Sequence, residues 1–222
     1  MYFVVKKDFF NTHLILDILQ YFCTNRILMK KLILSVAFLV LSIISASAQP
    51  GHKALLIIDI QDFYFPGGKS ALVEPEKAAA NAALLLSDFR KKNLMVIHVR
   101  HNSEPGGKIN DIVKPLPTEK IVSKSEVNCF VGTDLLDFLK TNKIDTLVIC
   151  GMQTHMCVEA ATRAASDYGF NCILIHDACA TKDLKFGDKI IKAEDVHYST
   201  LSTLKNYATV ISTDEYLNHF KK

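Results

Sequence analysis

The sequence has no tryptophan. It has no internal repeat, and residues 49–222 hold no low-complexity segment. No two cysteines stand at C-x-x-C spacing, so neither a zinc ribbon nor a thioredoxin-type motif is indicated. No apolar run reaches the roughly 20 residues that a membrane-spanning helix needs. Charge of one sign is also missing. The chain carries 26 Lys+Arg against 23 Asp+Glu. Residues 1–48 hold five of the bases and two of the acids, so the remainder is formally neutral. A chain without a basic surplus offers no broad surface to nucleic acid or to an anionic membrane.

What is present begins with a leader-like stretch. Met29-Lys30-Lys31 precedes an apolar run over residues 32–44, followed by Ala46-Ser47-Ala48 and Gln49. A positive start, a short apolar segment and small residues at a cleavage site make the pattern of a secretory signal peptide. The expected organisation is an upstream extension at 1–28, a signal peptide at 29–48 and one domain at 49–222. Met29 would be the true start, and the mature protein would be periplasmic or secreted. The alternative is an uncleaved membrane anchor. Cys129, Cys150, Cys157, Cys172 and Cys179 remain after residue 48. An odd count in an exported protein leaves at least one thiol unpaired.

Strand-like and helix-like segments then alternate. Residues 54–60 (ALLIIDI), 94–99 (LMVIHV), 146–150 (TLVIC) and 171–175 are apolar runs suited to strands buried on both faces. Shorter strands are expected at 121–123 and 209–211. Residues 76–92, rich in alanine and leucine after Pro75, read as a helix. Further helices are expected at 133–141 with Thr133 as N-cap, at 157–168 up to Gly169, within 190–206, and at 213–220. Residues 101–120, with three prolines and two glycines, read as a loop. Strands alternating with helices imply parallel βαβ units, whose sites lie beyond the C-terminal strand ends.

Three polar residues fall at such ends. Asp59 closes an apolar run, where a carboxylate is costly without a partner or a role. Cys157 follows a strand and turn at an expected helix start, where free N–H groups and the helix dipole lower a thiol pKa. Lys124 stands just after a short strand, where it could stabilise a carboxylate and a thiolate. Alone, each has an ordinary explanation: a backbone-capping aspartate, a core thiol, a surface lysine.

Taken in order, Asp59, Lys124 and Cys157 resemble the isochorismatase-like cysteine hydrolase superfamily. The resemblance rests on Asp59-Ile60-Gln61-Asp62-Phe63, on Lys124 followed by Phe130, on Gly151-Met152-Gln153-Thr154-His155-Met156-Cys157-Val158, and on Asp177-Ala178. It implies a three-layer α/β fold with a mainly parallel six-stranded sheet and helices on both faces. It implies Cys157 as nucleophile, Asp59 as acid/base and Lys124 holding both. It also implies a cis Met152–Gln153 bond, with the N–H groups of Gln153 and Cys157 as an oxyanion hole. The activity implied is hydrolysis of an amide-type C–N bond in a small molecule through a thioester, by a homo-oligomer without a cofactor. Phe63, Phe65, Phe130 and His155 are candidates for the pocket wall.

Nicotinamidase-type members are similar but carry an Asp-x-His metal site. Here the region reads His98-Val99-Arg100-His101-Asn102, so no metal is expected. Isochorismatase proper is similar but lacks the cysteine nucleophile, which turns the reading away from vinyl-ether hydrolysis. Two other functions compete: a catalytically silent ligand-binding or assembly protein with the same fold, and a thiol-redox role for Cys157. The absence of a nearby resolving cysteine weighs against the last.

Overall fold

The structure, a computed structural model, describes Gln20, Tyr21, Lys30 and residues 52–219. Apart from those first three residues, the expected upstream extension and signal peptide lie outside the described residues. No helix among the described residues is long and apolar enough to cross a membrane.

The chain runs β1 (Lys53–Ile58), α1 (Pro75–Lys91), β2 (Met95–His101), β3 (Lys120–Lys124), α2 (Leu135–Thr141) and β4 (Thr146–Met152). It continues through α3 (Glu159–Asp167), β5 (Asn171–Ala180), the hairpin strands β6 (Leu184–Phe186) and β7 (Lys189–Ile191), α4 (Ala193–Leu204), β8 (Thr209–Ile211) and α5 (Thr213–His219). Six strands form one sheet in the order β3-β2-β1-β4-β5-β8. Every pairing in it is parallel. The expected three-layer α/β fold is borne out.

The near-continuous apolar run of β1 is buried on both faces, as a central parallel strand must be. Leu55 and Ile57 face α1, against Ala82, Leu85 and Phe89, with Tyr216 of α5 in the same cluster. Ala54, Leu56 and Ile58 face the other layer, with Leu135 and Leu139 of α2, Ala161 and Ala165 of α3, and Leu201 and Leu204 of α4. Fully burying such side chains contributes about 1.5–3 kcal/mol each.

Several boundaries differ from those read in the sequence. Strand β5 runs on to Ala180 because its partner β4 shifts register between Ile149 and Gly151, which lets Cys179 pair with Gly151 and Ala180 with Met152. Asp177 and Ala178 therefore lie inside the strand rather than after it. The β6–β7 hairpin has no strong apolar alternation and was not expected from the sequence; its residues are mostly exposed. Helix α3 begins at Glu159, and Cys157 sits just ahead of it in a single π-helical turn, Thr154–Val158. Helix α2 starts at Leu135, with the Thr133 hydroxyl accepting from the Leu135 N–H at 3.4 Å.

The chain leaves β1 in one direction, to β2 and β3, and returns on the other side, to β4, β5 and β8. The β1–β4 boundary is thus the switch point, where open α/β sheets form their ligand crevice.

Candidate active site

Three strand ends converge at that point. Asp59 directly follows β1 and holds a left-handed backbone with φ 50°. Its N–H donates to the Val99 carbonyl of β2 at 3.0 Å. Lys124 is the last residue of β3, and Cys157 lies in the turn after β4. The β4 end can approach β1 only because residue 151 is glycine: a Cβ there would stand 2.0 Å from the Ile58 carbonyl oxygen, and φ is 131°.

The structure brings Asp59, Lys124 and Cys157 together out of water, at 0%, 1% and 5% exposure. Lys124 Nζ lies 2.8 Å from Asp59 Oδ2 and donates to Cys157 Sγ at 3.2 Å. It also donates to the Glu126 carbonyl at 3.1 Å and meets His101 Nδ1 at 3.2 Å. The Asp59 carboxylate is buried with the Lys124 ammonium as its close ion-pair partner.

Burial raises the Asp59 carboxyl above its ordinary range, and the Lys124 charge opposes the shift only in part. For Lys124, burial works to lower the ammonium pKa, but the Asp59 charge outweighs it and the group is held more firmly protonated than usual. The Cys157 thiol is pushed up to about 12, by burial first and then by the Asp59 charge, with Lys124 opposing. The shift is opposite to the lowered thiol pKa expected of a helix start. Lys124 supplies one positive charge, and Asp59 already uses it, so a second anion in the same dry site is disfavoured.

The Met152–Gln153 peptide bond is cis, as the resemblance implies. The Gln153 side chain donates to the Tyr64 hydroxyl at 3.2 Å. The expected wall residues divide. Phe130 packs in the same cluster as Cys157, edge-on to Tyr168. Phe63 and Phe65 belong to the core on the α1 side. His155 turns toward Thr181, with Nδ1 2.6 Å from its hydroxyl.

The two histidines of that region go to different partners: His98 to Glu119 at 3.0 Å, His101 to Lys124. Among the described residues, no group of three His, Cys, Asp or Glu is placed to hold a metal ion. The five described cysteines are free and buried.

Sequence reasoning missed His101 and Gln61. Gln61 is fully buried, and its amide clamps the end of β2: Oε1 accepts from the His101 N–H at 2.7 Å, and Nε2 donates to the His101 and Gly107 carbonyls at 3.0 and 2.7 Å. The available signal was an amide two residues beyond Asp59, outside any apolar pattern. A cavity of about 440 Å³ elsewhere, lined by Ala78, Thr181, His197 and Tyr198 among others, does not include Cys157.

A parallel three-layer α/β protein with a thiol, a carboxylate and an amine buried at its switch point is the class that this fold and cluster define. The chain belongs to the isochorismatase family, whose Isochorismatase domain model matches residues 53–215. The uncharacterized isochorismatase family protein YddQ of Bacillus subtilis is 45% identical over 176 residues, covering 74% of this chain and 98% of the relative. The crystal structure of a putative isochorismatase hydrolase from Oleispira antarctica is 42% identical, with a TM-score of 0.74, covering 77% of this chain and 98% of that one. Relatives with named activities are hydrolases. Streptothricin hydrolase of Streptomyces noursei is 33% identical over 63% of this chain and 59% of its own. Maleamate amidohydrolase of Pseudomonas putida is 26% identical over 65% of this chain and 85% of its own. The family assignment read from the sequence is borne out, and with it the broad class of hydrolase.

Proposed function

We propose that the protein is a cysteine-dependent hydrolase that cleaves an amide-type C–N bond of a small molecule through a thioester. The observation that carries this reading is the Lys124 ammonium, buried between Asp59 Oδ2 at 2.8 Å and Cys157 Sγ at 3.2 Å. A buried carboxylate with raised proton affinity, set in the same cluster as the thiol, is suited to act as its base.

In this reading the thiol proton passes to Asp59 as Cys157 Sγ attacks the substrate carbonyl. Lys124 offsets the negative charge in either position, so the transfer changes little in the net charge of the dry site. The N–H groups of Gln153 and Cys157 hold the tetrahedral oxyanion. Asp59 returns the proton to the leaving amine, and a Cys157 thioester remains. Asp59, again a carboxylate, takes a proton from water as it attacks the thioester, and the acid product leaves with the thiol restored. A high resting thiol pKa suits this sequence, because the thiolate is needed only as the proton moves to Asp59. The small-amide substrate class rests on the maleamate amidohydrolase relative together with this chemistry.

Export in a mature form starting near Gln49 and assembly as a homo-oligomer belong to the same proposal. The mass of the native chain and its sedimentation test them. The catalytic reading is tested by ammonia release from a panel of small primary amides, with the full chain and its Cys157→Ala variant. Release by the first and none by the second is expected. Release that persists in Cys157→Ala would overturn the reading.

A further inference from the structure

Resting on that reading, we propose that His197 is a positioning residue which, by holding the Thr154 hydroxyl, fixes the turn that presents Cys157 and the two oxyanion N–H groups.

Residues Thr154–Val158 form a single π-helical turn. Such turns are rare, and they occur often at functional sites. This one has little to close it from within. The Gln153 carbonyl accepts both the Met156 and the Val158 N–H, at 3.1 and 3.2 Å. The Gln153 side chain does not cap the turn, and its amide donates to the Tyr64 hydroxyl instead.

Two imidazole–hydroxyl pairs tie the turn to other elements. Thr154 Oγ1 lies 2.9 Å from Nδ1 of His197 on α4. His155 Nδ1 lies 2.6 Å from the hydroxyl of Thr181, just beyond β5. The first pair carries more weight. Thr154 is fully buried, so without His197 its hydroxyl would be left unpaired out of water, which is the costly case. His155 is only half-buried, so solvent can replace Thr181.

His197 is itself held. Helix α4 buries Val196, Thr200 and Leu201 around it. The start of α4 is fastened by the Asp183 carboxylate, which accepts from the Ala193 N–H at 2.8 Å and from Lys192 Nζ at 2.9 Å. Burial and then His176 lower the His197 pKa, so the pair is a neutral one near pH 7.

The proposed oxyanion donors stand on either side of Thr154 in the chain. Gln153 precedes it directly, and Cys157 follows three residues later. Such donors act only when aimed at the place where charge develops. A turn free to shift would lose transition-state stabilisation while ground-state binding is largely kept, so the loss should fall on kcat rather than KM.

The test uses the full chain with His197→Leu, His197→Asn and Thr154→Val. Asparagine places an amide close to the position of Nδ1, and valine removes the hydroxyl at nearly constant shape. Hydrogen exchange at the Met156 and Val158 amides reads the turn, beside kcat and KM on an amide that scores in the panel. His197→Leu is expected to speed exchange at both amides about fivefold, the weight of one neutral hydrogen bond, and to lower kcat at least as much with KM little changed. His197→Asn should restore most of the protection. Thr154→Val combined with His197→Leu should lose no more than His197→Leu alone, because the two side chains act as one pair. Unchanged exchange in His197→Leu would overturn the proposal, as would faster exchange with kcat unchanged. A loss of protection spread evenly over β4 and α3, or losses that add in the double variant, would also overturn it by making His197 a packing residue. Exchange reads the turn whether or not any amide is turned over. A failure of this proposal is thus distinct from turnover that survives Cys157→Ala, which would sink the catalytic reading instead.

Discussion

Strand β2 places His98 against Glu119 and His101 against the lysine that pairs with Asp59, and the two carboxylates are treated in opposite ways. Glu119, near His98, is saturated. Its oxygens accept from Arg90 Nε and Nη2 at 2.7 and 2.8 Å, from the Leu116 N–H at 2.8 Å, and from His98 Nε2 at 3.0 Å. Burial works to raise its carboxyl, but the Arg90 bonds, the Leu116 N–H and His98 outweigh that and hold it at about 2. Asp59 is more deeply buried, with the Lys124 ammonium 2.8 Å away. Its carboxyl is raised instead. For Glu119 the donors it receives outweigh burial, whereas for Asp59 deeper burial wins and Lys124 offsets it only in part. A saturated carboxylate fastens the loop before β3 to α1 and β2. One raised by burial is left able to take a proton.

This contrast predicts that the two carboxylates fail differently when neutralised. The largest effect belongs to Asp59. Asp59→Asn should lower turnover of any amide that scores in the panel by about 10²–10⁴-fold, the usual weight of general acid–base catalysis, with an unchanged circular dichroism spectrum. Because members of one catalytic unit are non-additive, Asp59→Asn combined with Cys157→Ala should be no less active than Cys157→Ala alone. Near-native turnover in a folded Asp59→Asn protein would make Asp59 structural and erase the contrast.

Glu119→Gln should show the reverse. Turnover should stay within about twofold of wild type, while thermal or urea unfolding reports a loss of about 2 kcal/mol, the scale of a disrupted set of charged hydrogen bonds. The pH dependence sharpens the point. A carboxyl held below its ordinary value contributes stability that is complete above that value and is lost as pH falls through the folded one. For Glu119 the window runs from about 4.5 down to about 2. Unfolding curves of wild type and Glu119→Gln should converge across that window. Parallel curves would mean that Glu119 is not ionised in a favourable setting.

The smallest effect is a displaced profile. With its thiol pushed up by burial and then by Asp59, Cys157 should alkylate slowly near neutrality, and its rate should still be climbing above the ~8.5 of a free thiol. A plateau reached below that value would show that Lys124 dominates Asp59 in the resting site.

Much of the framework was legible in the linear order of residues. Apolar runs such as residues 54–60 can be satisfied only by strands covered on both faces, and alternation with helices then dictates parallel pairing and a site at the C-terminal strand ends. Asp59, Lys124 and Cys157 were visible because each is a polar group at the edge of such a run, and their order carries the family resemblance. The limits of β5, the β6–β7 hairpin and the start of α3 were not visible, because register shifts and short exposed strands leave no periodic trace.

What only the tertiary structure decided is the electrostatics of the cluster. Read by itself, a helix start argues for an acidic thiol at Cys157. Folding instead places it in a dry site beside Asp59, where one ammonium must serve two potential anions, and the thiol shifts upward. His98 and His101 likewise stand three residues apart on one strand. The register of β2 against β3 set His101 beside Lys124, while His98 bonds Glu119 of the loop before β3. Local pattern determines which groups reach the strand ends. Proton affinity depends on burial and on the donors that face each group, and those come from segments far apart in the chain.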